Sequence, residues 1–203
     1  SMREFCAIAA TVLTLWMGGR YSYFVIRKQV RPTLTTWLIF ETGIVLSLAS
    51  YFSSKQPDPV SNIANVVDFV DVLMIILAIT IFGKPGAWKF ESYEQACLWI
   101  AGVGLVIWAV SGRPFISNLA FQSVMVVAYG PLWKKLRHAK ENPESLGCWT
   151  IACVAASLAF VTGYLSADKW GMIYTARATA CTLITIVLII RVKRRSAAYT
   201  GGT

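Results

Sequence analysis

Charged residues are scarce in this chain. They make up 14% of its 203 residues, whereas soluble domains average about 25%. The deficit falls in seven mostly apolar stretches of roughly 18–22 residues, at about 5–26, 33–53, 62–82, 93–110, 115–133, 146–166 and 170–190. Because a helix needs about 20 apolar residues to cross a bilayer, we predict an all-α integral membrane protein with seven transmembrane helices and no separate soluble domain.

Residues that support metal or covalent chemistry are also few. The chain has one histidine, His138, and five cysteines without a C-x-x-C pair, so neither a metal site nor a disulfide framework is expected. It lacks a Ser/His/Asp set, an H-E-x-x-H motif and a glycine-rich phosphate loop. We therefore expect no catalytic residues, no cofactor and no enzymatic activity. The first apolar run has no small-residue cleavage site, which favours a span over a removable signal peptide.

The basic residues mark one side of the membrane. One side of the membrane has four: Arg3, Lys55, Arg113 and Lys169. The opposite side has thirteen, in the first, third and fifth links and the C-terminal tail: Arg27, Lys28, Arg31, Lys84, Lys89, Lys134, Lys135, Arg137, Lys140, Arg191, Lys193, Arg194 and Arg195. Cytoplasmic links carry the excess of Lys and Arg, so the N-terminus is predicted outside and the C-terminus in the cytoplasm. This topology accounts for the net charge of +9 without a nucleic-acid partner; the membrane itself, plasma or inner membrane or that of an organelle, stays open.

Two segments of the chain carry the same markers in the same order. Residues 18–37 and 128–149 each end a span with glycine and aromatic residues, pass through a basic link, reach a proline and open the next span with a tryptophan. Pro32 and Trp37 thus match Pro143 and Trp149. We predict a first three-helix repeat over residues 1–84, a linker helix over 85–112, and a second repeat with a short basic tail over 113–203. Because each repeat has three spans, the linker helix gives both the same orientation.

The 3+1+3 arrangement with basic, proline-containing links resembles the SWEET and PQ-loop transporter superfamily. The second repeat carries the likeness best, with Pro131 at the proline position and Leu132 where glutamine would stand. In the first repeat, Arg20 and Tyr21 occupy the two positions that correspond to this proline and glutamine. The resemblance implies two three-helix bundles around a central solute site and rocking between outward-open and inward-open states. It makes Pro131 a candidate hinge, with Gly18 and Gly19 supplying flexibility in the first span.

Ionisable residues within the spans indicate where a pathway runs. Charges in a membrane are costly and usually face a cavity or each other. Asp68 and Asp71 in the third span lie about 20 Å from the inner edge, as does Arg177 in the equivalent seventh span. Asn65 extends the face of the two aspartates, and Tyr174 extends the face of Arg177. We predict that these five residues form a substrate-binding or proton-coupling site.

A second pair lies nearer the cytoplasm. Arg20 in the first span and Glu41 in the second are both in the inner half of the membrane on neighbouring helices. We predict that they pair, either as a gate or as a structural clamp between helices.

Three functions fit seven spans. A retinal protein needs a lysine in the last span for its Schiff base, and residues 170–190 contain none. A transporter of a small polar solute is the preferred hypothesis: a sugar, an amino acid or a vitamin-like compound, with or without proton coupling. The alternative is a non-transporting receptor or adaptor of the same fold, similar to the KDEL receptor. The expected partners are the solute and the lipid bilayer, and homo-oligomerisation stays open.

Overall fold

The computed structural model describes residues 1–30, 32, 34–83, 92–140 and 142–200. All regular secondary structure in these residues is helical, which confirms the all-α prediction. Eight helices follow one another in the described ranges: α1 (Met2–Ile26), α2 (Leu34–Phe52), α3 (Ile63–Phe82), α4 (Ser92–Ser111), α5 (Pro114–Ala128), α6 (Gly130–His138), α7 (Leu146–Leu165) and α8 (Lys169–Thr200). Three of the predicted cytoplasmic charges, Arg31, Lys84 and Lys89, and residues 85–91 of the predicted linker lie outside the described residues.

Each predicted span corresponds to a helix or, for the fifth, to two. Among the described residues, five helices are long and apolar enough to cross a membrane: Leu34–Phe52, Ile63–Phe82, Pro114–His138, Leu146–Leu165 and Lys169–Ser196. Helices of this length and composition are typical of an integral membrane protein. The count of seven stays a prediction, because α1 and α4 are not among the five.

Local sequence signals explain where several helices begin. The Ser1 side chain and Glu4 form a reciprocal capping box at the start of α1, which satisfies backbone donors that have no helical partner. Pro114 opens α5, where a missing N–H costs nothing. The Ser145 hydroxyl accepts from the backbone of Cys148 at the start of α7, and the Asp168 carboxylate accepts from the backbone of Trp170 at the start of α8.

The helices pack in a pattern that relates the two halves of the chain. Helix α3 contacts both α1 and α2, and helix α8 contacts α5, α6 and α7. Between the halves, α1 packs along α7, α2 packs along α5, and α3 meets α8. Helix α4 packs on α5 and α2. The elements that carry the predicted site, α3 and α8, therefore meet where the two halves come together.

Candidate functional site

A cavity lies between the two halves of the chain. Its interior accessible to water is about 90 Å³, which is enough for several water molecules or a small solute. Both halves contribute to its wall: α1, α2 and α3 on one side, and α5, α7 and α8 on the other, with Tyr129 at the break between α5 and α6. Four of the five predicted site residues line it, namely Asp68, Asp71, Tyr174 and Arg177.

Tyr174 joins the charged residues of α3 and α8. Its hydroxyl donates to Asp68 Oδ2 over 2.7 Å, and the Arg177 guanidinium lies over its ring, 4.7 Å from the centroid. Asp68 and Arg177 are therefore both held by one buried aromatic side chain. The aspartate and the arginine face the same cavity, and the tyrosine connects them where a direct ion pair was expected.

Asp71 occupies a site made by a glycine. It is only 2% exposed, and its Oδ1 atom has no hydrogen-bond partner among the described residues. The carboxylate packs against Gly18 of α1, where a Cβ atom would overlap Oδ1. Gly18 thus lets α3 approach α1 closely enough to bury the carboxylate between them.

Arg177 links the cavity to a buried cluster of amide and hydroxyl groups. Its Nε donates to Gln122 Oε1 over 2.8 Å. The amide groups of Gln122, Asn118 and Asn65 all donate to the Ser47 hydroxyl, at 3.0, 3.0 and 2.9 Å. Asn65 therefore belongs to this cluster and is not among the residues that line the cavity, so the structure does not bring it together with the other four predicted site residues.

The polar cluster joins α2, α3 and α5 on the side of the cavity away from the basic links. The sequence analysis missed Ser47, Asn118 and Gln122, because uncharged polar residues in spans are commonly helix–helix contacts. The available signal was spacing: Asn118 and Gln122 are four residues apart and share one face of α5. In the structure that face turns inward, and all three residues are buried.

Arg20 and Glu41 are not brought together, so the predicted pair is wrong. Arg20 is exposed, and its guanidinium lies over the rings of Trp16 and Phe24, 5.8 and 5.4 Å from their centroids. Glu41 is partly buried, with an Oε2 atom that has no hydrogen-bond partner among the described residues. Helix spacing explains Arg20: Trp16 and Phe24 are four residues before and after it on the same face of α1.

The three candidate hinge residues have different surroundings. Gly18 is buried against Asp71, whereas a Cβ atom at Gly19 would meet nothing within 4 Å. Pro131 lies just after the boundary between α5 and α6, where it removes a backbone donor from the fifth predicted span. Gly18 is thus a site of close helix approach, Gly19 faces open space, and only Pro131 coincides with a break in a helix.

Aromatic side chains separate this cavity from a second, smaller cavity of about 30 Å³. Trp37, Phe40 and Trp149 line both cavities. The Phe40 and Tyr129 rings meet edge to face, with centroids 4.7 Å apart. The tryptophans that mark the predicted repeat therefore both belong to one aromatic layer.

The second cavity contains a buried glutamate that the sequence analysis missed. Glu144, in the link before α7, is 6% exposed and accepts hydrogen bonds from the Tyr21 hydroxyl at 3.1 Å and Trp149 Nε1 at 3.3 Å. Burial raises the pKa of its carboxyl, and the nearby Lys135 opposes this shift. Glu144 lies in the link between the fifth and sixth predicted spans, and nothing in its residue type singles it out as buried. Its position two residues after Asn142, whose side-chain oxygen accepts from the Glu144 backbone, is the local signal of an ordered turn.

The opposite end of the molecule is held by a second cross-half contact. Asp168 Oδ2 accepts from the Tyr51 hydroxyl at 3.0 Å and from the Ser61 hydroxyl. The Tyr51 hydroxyl also bonds the backbone of Asp58, whose carboxylate pairs with Arg3. The links after α2 and α7 are thereby tied together, and α1 is tied to them.

Comparisons with known proteins identify no relative. No protein-family model, no curated protein and no solved structure matches this chain. Within the described residues, no group of three or more His, Cys, Asp or Glu side chains could hold a metal ion. What defines the protein is therefore its own geometry: apolar helices suited to a membrane around a buried, charged cavity.

Proposed function

We propose that this protein is a membrane transporter of a small polar solute that works by alternating access. The single observation that carries the proposal is the cavity between the two halves, where Asp68, Asp71 and Arg177 meet in an otherwise apolar wall. Charged side chains in a membrane protein face such cavities when they act on a solute or a proton. Among the described residues, Asp71 Oδ1 has no hydrogen-bond partner, so its carboxylate is not part of a satisfied structural ion pair.

Two closures bound the proposed pathway. On one side, Asp168 holds the links after α2 and α7 together through Tyr51 and Ser61. On the other, Tyr21 of the first half donates to Glu144 of the second half beneath the aromatic layer. Breaking either set alone opens the cavity to one side of the membrane, which is what alternating access requires.

The proposed protein has seven spans, with the N-terminus outside. Helices α1 and α4, with 25 and 20 residues, are long enough to add two spans to the five apolar ones. The thirteen-to-four distribution of basic residues supports this count, because removing or adding a span would place the basic links on alternating sides.

The packing pattern supports a parallel repeat. The repeat matches α1 with the interrupted pair α5 and α6, α2 with α7, and α3 with α8. With this matching, the first span of each half packs on the second span of the other half, α1 on α7 and α5 on α2. The third spans, α3 and α8, then meet near the axis that relates the halves. A rotation of one half against the other would move both closures at once, as in transporters built from repeats.

The experiment is solute uptake into liposomes that contain the purified protein. Labelled glucose, alanine and choline represent a neutral, a zwitterionic and a cationic solute, each assayed with and without a pH gradient. We expect uptake of at least one of them above protein-free liposomes, and its loss in Asp71→Asn. Glu4→Gln, which removes a carboxylate outside the cavity and outside both closures and keeps the helix cap, is the matched control. If none of a broader panel of polar solutes enters, a non-transporting receptor replaces the transporter.

A further inference from the structure

We propose that the cavity binds a small organic cation, with its ammonium group held at Asp71. This inference rests on the proposed function and names its substrate class. The charged groups of the cavity wall are mostly acidic. Two carboxylates, Asp68 and Asp71, line the cavity, and Arg177 is the one basic side chain among its described lining residues. A ligand that carries a positive charge would balance this wall.

The arginine is already engaged by neutral partners. Its Nε is bonded to Gln122, and its guanidinium lies over the Tyr174 ring. Tyr174 in turn donates to Asp68. Arg177 and Asp68 are thus members of one connected group, whereas Asp71 stands apart from it, one turn further along α3.

Asp71 Oδ1 is the acceptor that lacks a donor. A carboxylate oxygen buried without a hydrogen bond is among the most costly arrangements in a protein interior. Gly18 contributes only its backbone to the contact, since it has no side chain. Because Oδ1 is enclosed against Gly18, an ammonium group would meet the Asp71 carboxylate on the part that lines the cavity, and there it would supply the opposite charge that the described neighbours of Asp71 do not provide.

The aromatic part of the cavity wall favours the non-ammonium portion of an organic cation over a sugar. Trp37, Phe40 and Tyr129 are among the residues that line the cavity, and aromatic rings attract a cationic group that reaches their faces. Two donors in this part of the wall are already committed: the Thr182 hydroxyl donates to the Ala178 carbonyl at 2.9 Å, and Trp149 Nε1 donates to Glu144. A polyhydroxylated solute would leave most of its hydroxyl groups without partners there.

The test compares three solutes of one size that differ in charge: propylammonium, propan-1-ol and propionate. Each is titrated into the purified full-length protein in detergent at constant ionic strength, and the melting temperature is followed. Ligands that bind only the folded state raise it by mass action. We expect propylammonium alone to raise the melting temperature, and its shift to disappear in Asp71→Asn but persist in Glu4→Gln, which removes an exposed carboxylate far from the cavity. Because Asp71→Asn leaves a buried amide and can fail to fold, Asp68→Asn is the second variant, and we expect its apparent affinity for propylammonium to be reduced about tenfold or more.

Equal shifts with propan-1-ol or propionate, or an unchanged propylammonium shift in both aspartate variants, would overturn the assignment. The uptake assay separates this inference from the proposed function. Uptake of glucose or alanine without propylammonium binding removes the cation assignment and leaves the transporter. Propylammonium binding that depends on Asp71, with no uptake of any solute, leaves the cation site and removes the transporter.

Discussion

At the scale of single residues, two neighbouring glycines of α1 have opposite roles. Gly18 faces α3 and gives room to the Asp71 carboxylate, whereas Gly19 faces away from the protein, with nothing within 4 Å of an added Cβ atom. In sequence they are an indistinguishable pair. The difference arises because a rotation of about 100° between consecutive helical residues turns one toward the neighbouring helix and the other away.

We predict opposite effects when each glycine is changed to alanine. Gly18→Ala should destabilise the protein by roughly 1–3 kcal/mol, because its Cβ atom overlaps Asp71 and forces the two helices apart. Gly19→Ala should stabilise it by up to about 1 kcal/mol, because alanine favours a helix more than glycine does. Reversible unfolding in mixed detergent measures both. Equal effects of the two substitutions would mean that α1 does not present Gly18 to Asp71.

The buried carboxyl of Glu144 leads to a prediction about how the stability of the protein depends on pH. Burial raises the pKa of its carboxyl, so the folded state binds this proton more tightly than the unfolded state, whose glutamate pKa is about 4.3. The contribution of Glu144 to stability is therefore present below that unfolded value and is lost as the pH rises through the folded value. Glu144→Gln removes this titration and keeps an acceptor for Tyr21 and Trp149.

We expect the stability of Glu144→Gln relative to the wild type to increase as the pH rises from about 4 to neutrality. Melting temperatures of the two proteins across this range provide the measurement. Asp58→Asn, at the opposite end of the molecule, controls for general effects of removing a carboxylate. A difference between Glu144→Gln and wild type that is independent of pH would show that Glu144 titrates alike in the folded and unfolded states.

At the scale of elements, the fifth predicted span is interrupted between α5 and α6, and a side chain of α4 contacts the chain at this interruption. Pro131 has no N–H for the carbonyl of Val127, four residues earlier. The hydroxyl of Tyr93 on α4 donates to that carbonyl. Gly130 makes the approach possible, since a Cβ atom there would overlap the tyrosine hydroxyl. Helix α4 is thus more than a topological connection, because its Tyr93 adds a side-chain hydrogen bond to a carbonyl that otherwise accepts only the tight backbone bond at the end of α5.

This arrangement predicts a non-additive pair of substitutions. Tyr93→Phe should cost about 0.5–1.5 kcal/mol, because it removes one of the two hydrogen bonds that the Val127 carbonyl accepts, the other coming from the backbone at the end of α5. In a Pro131→Ala background the same change should cost much less, because alanine at this position restores the N–H that the carbonyl accepts in an ordinary helix. A double-mutant cycle on unfolding free energies measures the coupling. Additive effects would mean that Tyr93 does not serve the carbonyl freed by Pro131.

At the scale of the whole molecule, contacts between the halves enclose the cavity at both ends. Tyr21 and Glu144 meet on the side of the basic links, and Tyr51 and Asp168 meet on the other. Each contact joins residues more than 100 positions apart, at separations of 123 and 117. The two ends are therefore held by tertiary contacts, and a rocking of one half against the other would break the contacts at one end while those at the other end remain.

The proposed orientation predicts which of these ends faces the cytoplasm. In a cysteine-free background, Lys55→Cys should react with an impermeant thiol reagent added outside cells, and Arg137→Cys only after the cytoplasmic face is exposed. Both positions lie at the ends of the predicted spans, so the substitutions leave the apolar stretches intact. Labelling of residue 137 from outside intact cells would reverse the orientation, and labelling of both positions from one side would change the number of spans.

Much of the architecture followed from the sequence, because it depends on local or cumulative properties. Apolar runs of about 20 residues predicted most helix ends to within a few residues, although α8 continues ten residues beyond the predicted end at 190 and the fifth span is divided into two helices. A helix can form wherever water is absent because it satisfies its own backbone. Asp68, Asp71, Tyr174 and Arg177 were predicted to share one site, because the cost of burying charge leaves few places for them. These inferences needed only composition, helical spacing and membrane thickness.

Only the tertiary structure decided how these residues meet. Rotation of each helix about its axis and its distance from its neighbours are set by side-chain packing, which sequence spacing does not specify. For this reason Arg20 faces Trp16 and Phe24 and does not reach Glu41, Asn65 joins Ser47, and Tyr174 connects Asp68 with Arg177. The burial of Glu144 depends on Tyr21, which is 123 residues away in sequence, and no local pattern in the chain reports a contact across that distance.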